Sequence, residues 1–130
     1  MKIILYRDPY SENFTYAVGH IDTSSGLVFR DVYSEIKTAG NCIGHVRKGY
    51  VFSDPYSEAA NHKVGRYDED GKIYRDPYSQ SPSCCIGHIG RNGIIYQDAY
   101  SENSFFAWGH VEAHSFIPEA AAAFMLLLPR

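Results

Sequence analysis

The sequence predicts an all-β chain: an antiparallel meander of five β-hairpin repeats of about 22 residues each, giving about ten short strands, with a short C-terminal α-helix. Three observations carry this. "IYRDPYS" at 73–79 returns as "LYRDPYS" from Leu5, "VFRDVYS" from Val28, "VFSDPYS" from Val51 and "IYQDAYS" from Ile95. This sets Asp8, Asp31, Asp54, Asp76 and Asp98 at intervals of 23, 23, 22 and 22 residues. Each unit then carries a second apolar run: "AVGHI" from Ala17, "CIGHV" from Cys42, "KVGRY" from Lys63, "CIGHI" from Cys85 and "AWGHV" from Ala107. Finally, 11 Tyr and 7 Phe make an aromatic-rich composition that suits pleated, half-buried surfaces better than helices.

A chain of 130 residues and 14.7 kDa fits one folding unit. Its organisation reads as a five-repeat β domain over 1–114 and an apolar helical segment over 115–130. The net charge of −3 and pI near 6.0 lack the basic excess of a nucleic-acid-binding domain. Cys42, Cys84 and Cys85 cannot all pair internally, and the first repeat follows Met1 directly, without an apolar leader. Both features lead to the expectation of a reducing, cytoplasmic setting. The run "AAAAFMLLL" at 120–128 is too short for a membrane-spanning helix, which requires ~20 residues, so no membrane partner is expected.

Between units, "EDGK" at 69–72 and "RNGI" at 91–94 predict two-residue type I′ turns, because Asp-Gly and Asn-Gly accept two positive φ angles. "TSSGL" at 23–27 suits a three-residue loop with a left-handed glycine and a bulge, while "RKGY" at 47–50 is not decisive. Within each unit, Asp followed by Pro-Tyr-Ser reads as the capped start of one helical turn. Val32 and Ala99 replace the proline twice.

A two-residue turn at Asn92-Gly93 would set Ile89 against Tyr96 and His88 against Gln97. The predicted core face then carries Tyr6, Phe29, Phe52, Tyr74 and Tyr96 beside Ile21, Val46, Tyr67, Ile89 and Val111. Their rings lie over Gly19, Gly44, Gly65, Gly87 and Gly109. The other face carries Leu5, Val28, Val51, Ile73, Ile95, Val18, Ile43, Val64, Ile86 and Trp108. With both faces apolar, the sheet should close or curl into a barrel, or be covered. In the tail, Pro118 and Glu119 suit a helix's first turn, and helix formers continue to Pro129. An all-apolar helix should be buried, as a cap or a subunit contact that makes a homo-oligomer.

Along the second face a polar row is predicted: Arg7, His20, Arg30, His45, Ser53, Arg66, Arg75, His88, Gln97 and His110. Arg7, His20, Arg30, His45, Arg66, Arg75, His88 and His110 are candidates for holding an anion or small acidic ligand. Pairing with nearby acids is the plainer use, since the chain has 15 acids and 12 basic residues. A metal shared among the histidine ladder is disfavoured, because neighbouring hairpins stand about 10 Å apart and ligands must lie within about 2.0–2.1 Å of the ion. No metal or other cofactor is therefore expected.

The loop tyrosines Tyr10, Tyr33, Tyr56, Tyr78 and Tyr100 form a second candidate set, either spacers between repeats or weak glycan sites multiplied by avidity. No nucleophile elbow, zinc-protease helix, phosphate loop or dinucleotide fingerprint occurs, so no catalytic residue is assigned. Cys42 and Cys85 share a repeat position with Ala17 and Ala107, which reads as core filling. The unit is similar in length to MORN repeats and choline-binding hairpins, but neither "YxGxW" nor "GWxxxxGxWYY" recurs, and no family is identified. The expected role is a non-catalytic binding or scaffolding module for a protein or small molecule.

Overall fold

The computed structural model of the protein describes residues 1–38, 40–79 and 81–127. The strands are β1 (Lys2–Tyr6), β2 (Ala17–Asp22), β3 (Leu27–Phe29), β4 (Cys42–Arg47), β5 (Tyr50–Phe52), β6 (Lys63–Tyr67), β7 (Lys72–Tyr74), β8 (Cys85–Ile89), β9 (Ile94–Tyr96) and β10 (Ala107–Val111). Each pairs antiparallel with its sequence neighbours, and β1 also pairs with β10, so the meander closes into a barrel without free edges. The expected end helix, α1, spans Pro118–Leu127. The last residues assigned to that segment, Leu128, Pro129 and Arg130, lie outside the described residues.

Alternation along the strands selects an aliphatic lining for the lumen. In-register pairs Leu5–Val111, Ile21–Val28, Val46–Val51, Tyr67–Ile73 and Ile89–Ile95 join one buried cluster. α1 fills the space they enclose: Ala120, Ala121, Ala122 and Ala123 have no exposed surface, and Phe124 is buried. Small alanine side chains let the helix axis pass close to the wall, and the larger residues follow at its C-terminal end. There the strand glycines make room. A Cβ on Gly44 would stand 2.8 Å from Leu126, one on Gly65 2.9 Å from Met125, and one on Gly109 3.0 Å from Phe124.

This corrects the predicted core face. The rings of Tyr6, Phe29, Phe52, Tyr74 and Tyr96 pair instead with His110, His20, His45, Arg66 and His88 on the outer wall. Two local features cause the difference. At Arg91-Asn92-Gly93 the turn holds three residues: Gly90 N–H donates to Ile94 O at 2.9 Å, and only Gly93 takes a positive φ, +78°. Glu69-Asp70-Gly71 is built likewise, so neither predicted type I′ turn forms. The two-residue turn with two positive φ angles is Lys48-Gly49. One extra loop residue slips the register by one, which exchanges the faces of every side chain beyond it.

The second feature is a bulge in each unit. Leu5 faces Gly19 while Tyr6 faces Ala17, and the same step recurs at Val28/Phe29, Val51/Phe52, Ile73/Tyr74 and between Ala107 and Gly109. The extra residues Val18, Ile43, Val64, Ile86 and Trp108 pack against the core cluster. Bulges also bend the strands, which aids closure. The aspartates do cap, but no helical turn follows them; the short 3₁₀ turns Phe14–Tyr16, Ala60–His62, Pro82–Cys84 and Ser104–Phe106 come later, just ahead of the second strands.

Phe124→Ala should cost about 3–5 kcal/mol of stability in urea unfolding, as expected for emptying a buried aromatic site. A loss under about 1 kcal/mol would contradict the placement of α1 in the lumen.

Candidate functional site

The outer wall repeats one arrangement around the barrel. On it, His20 stacks on Phe29, His45 on Phe52, His88 on Tyr96 and His110 on Tyr6, with ring centroids 4.8, 4.5, 5.2 and 4.9 Å apart. In the remaining unit the Arg66 guanidinium lies 4.0 Å over Tyr74. A flat cation thus keeps the stack where the imidazole is absent. The stack covers the aromatic ring that the aliphatic lumen excludes.

Each imidazole also ties the sheet to a loop. His20 Nδ1 lies 2.6 Å from Asp31 O, His45 Nδ1 2.6 Å from Asp54 O, His88 Nδ1 2.5 Å from Asp98 O, and His110 Nδ1 2.5 Å from Asp8 O. A carbonyl can only accept, so Nδ1 carries the proton and Nε2 faces outward. Arg66 Nε does the same with Ser79 O at 3.3 Å. Beyond Nε2 stands a glutamate of the following loop: Glu35 at 3.7 Å, Glu58 at 3.2 Å, Glu102 at 3.5 Å and Glu12 at 3.0 Å.

The loop backbone is held by its own aspartate. Asp54 Oδ1 accepts from Tyr56 N–H at 2.8 Å and Ser57 N–H at 2.7 Å, and Asp8, Asp31, Asp76 and Asp98 repeat the pattern. These paired backbone donors hold the Asp8, Asp31, Asp54 and Asp98 carboxyls below the usual aspartate range. Burial, followed by the nearby Lys2, lowers His20 against the raising pull of Asp31 O, Glu35 and Asp22. The hydrogen bond from His45 is the largest of the influences that lower Glu58.

The predicted polar row is therefore two sets. His20, His45, Arg66, His88 and His110 are buried and occupied by loop carbonyls, whereas Arg7, Arg30, Ser53, Arg75 and Gln97 are exposed. Arg7 contacts Thr15 O at 3.4 Å and lies 5.7 Å over Tyr16. Arg30 and Ser53 border a cleft of about 530 Å³ with Lys37, Thr38, Cys42, Ile43, Asp54, Pro55 and Tyr56. Cys42 is buried beside Leu27 and Phe29, consistent with core filling, while Cys85 is half-buried.

Against the spacer reading, the tyrosines Tyr10, Tyr33, Tyr56, Tyr78 and Tyr100 are 63%, 70%, 66%, 69% and 68% exposed. Lys2, Lys63 and Lys72 lie over Tyr33, Tyr78 and Tyr100 at 5.2, 5.3 and 4.6 Å. Tyr56 borders a groove of about 260 Å³ lined by Leu27, Pro55, Ser25, His45, Arg47 and Glu58, between one unit and the next.

Sequence reasoning missed one cluster. His114, outside the repeat, stacks on His110 with centroids 4.1 Å apart, and Glu12, His110 and His114 present ligand atoms within 4.8 Å of one another. The glutamates were expected as partners of the arginines and not of the histidines, although Ser-Glu follows the aspartate turn at 11–12, 34–35, 57–58 and 101–102, and in sequence Gln80 takes that place once just as Arg66 takes the histidine's. That exchange of both members was a readable signal. Among known proteins, the chain matches no family model, no curated protein and no solved structure.

Lowered carboxyl and His20 pKa values mean that the folded state binds fewer protons than the unfolded one, so stability rises with pH through those ranges. The urea midpoint should begin to fall as pH drops below the ordinary histidine value of about 6.5, and fall more steeply below about 4. Asp54→Asn, which keeps the cap but not the charge, should flatten the lower limb. A midpoint constant between about pH 7 and pH 3 would contradict the assignment.

Proposed function

We propose that the protein is a non-catalytic binding module whose exposed loop tyrosines hold glycan-type ligands. The observation behind this reading is the exposure of all five loop tyrosines on loops whose aspartates are each occupied by two backbone N–H groups. A rigid aromatic side chain with one open face and a polar tip offers contact area at little entropic cost. Polyols present both apolar C–H faces and hydroxyls. The Tyr56 groove matches both, with Leu27, Pro55 and the ring beside Ser25, Arg47 and Glu58. Five exposed tyrosines around one barrel would turn weak single contacts into avidity.

A second reading has its own observation. In the cleft beside Ile43, neither Arg30 nor Lys37 forms an ion pair among the described residues, and Asp54 Oδ1 is occupied by Tyr56 and Ser57 N–H. Two cations in a cleft of mixed polar and apolar lining suit a small carboxylate or phosphate. It predicts that phosphate raises the melting temperature and that Arg30→Ala removes the gain.

For the main reading, a glycan array followed by calorimetry is the test. Tyr56→Ala should weaken a monovalent hit at that groove. Alanine at all five tyrosines should reduce binding of a polymeric glycan by roughly 10²-fold or more while the melting temperature is kept. Absence of any glycan hit, or binding undiminished in the fivefold variant, would remove the proposal.

A further inference from the structure

The five-unit pattern is broken most clearly at the seam where β10 meets β1. After β10 the chain turns through Glu112–His114, with Ala113 at φ +60° and His114 at φ +53°. Two successive left-handed residues other than glycine carry strain that the surroundings must hold. Here Ala113 N–H donates to Glu12 Oε2 at 2.7 Å, and the His114 ring is laid against His110. The result brings side chains from the first loop, the last strand and the segment before α1 to one point.

We propose that Glu12, His110 and His114 form a binding site for a divalent transition-metal ion such as Zn²⁺. With the His110 Nδ1 proton committed to Asp8 O, the neutral imidazole points its Nε2 lone pair at Glu12 Oε2, 3.0 Å away. These two atoms can be bridged by one cation, a proton or a metal ion. Among the described residues no third ligand atom stands beside the His–Glu pairs of Glu35, Glu58 and Glu102. At the seam His114 supplies the third. Its Nε2 lies 3.2 Å from Pro9 O, so with a proton donated there Nδ1 keeps a lone pair.

Both imidazoles thus hold a backbone carbonyl with one nitrogen and leave the other for an ion, the outer contact that metal-binding histidines usually make. Two imidazoles and a carboxylate suit Zn²⁺, Ni²⁺ and Cu²⁺, with the remaining positions open to water. The rings are 6° from parallel, so reaching one ion at about 2.0–2.1 Å requires them to splay. His110 is fully buried and fixed by its stack on Tyr6; His114 is half-buried and is the ring that turns. A bound ion would link the first and last units where no hairpin joins them.

The test is calorimetric titration of chelator-treated, untagged full-length chain with ZnCl₂, repeated by absorbance with Co²⁺. One ion per chain is expected. Glu12→Gln and His114→Ala should each weaken it at least about tenfold, whereas Glu102→Gln, in an equivalent pair without a third donor, should not. His114 is half-buried, so its variant can be checked for folding by its strand circular dichroism. No stoichiometric binding, binding that survives His114→Ala, or equal weakening by Glu102→Gln would each overturn the site. None of these results bears on the glycan reading.

Discussion

A ten-stranded barrel encloses more space than its own inward side chains can fill, and here that space is closed by a helix with alanine at four successive positions. This requirement orders the rest of the molecule. The wall around α1 must be aliphatic and, near Leu126 and Met125, must thin to glycine at Gly44 and Gly65. Once the lumen is assigned to Leu5, Val28, Val51, Ile73 and Ile95, alternation places the next residue of each strand, Tyr or Phe, on the outside. Five large rings on an outer wall need cover, and the stacked histidines and Arg66 provide it.

The histidine is thereby a junction between sheet and loop. One face covers a ring, Nδ1 fixes a loop carbonyl, and Nε2 meets a loop glutamate. The same loop is tied by its aspartate to two of its own N–H groups. With so many internal partners the loop has few conformations left, and the tyrosine between those anchors is held outward at little further entropic cost. Exposure of the five tyrosines is then a consequence of the wall's construction.

The units, the ten strands and the end helix were legible because recurrence, apolar runs and the Pro118-Glu119 start are local signals. The orientation of the strands was not. Asn92-Gly93 carries the same residues in a two-residue and in a three-residue turn, and the Gly90–Ile94 hydrogen bond and the single positive φ at Gly93 distinguish them. The bulges at Val18, Ile43, Val64, Ile86 and Trp108 are likewise invisible to a strict period of two. Together they exchanged Ile21, Val46, Ile89 and Val111 from the aromatic face to the lumen. In the candidate site, the repeated histidines and tyrosines were readable as positions, but the role of the histidines followed the register and was misplaced with it. His114 lies off the repeat, so no periodicity could point to it.

The seam shows why unique chemistry collects where a closed repeat must join itself. In three units the N–H of the first residue after the turn is met by a side chain in or flanking that turn: Leu27 by Ser25, Lys72 by Asp68 and Ile94 by Asn92. Ile4 has no preceding turn to serve it. Glu112 from the end of the last unit supplies the acceptor instead, at 2.9 Å across 108 residues of sequence. To bring that carboxylate to Ile4, the chain after β10 must turn sharply, and the turn that delivers Glu112 also delivers His114 to His110. The third donor at the seam therefore follows from the geometry of closure, as the missing hairpin is replaced by side chains that no other unit requires.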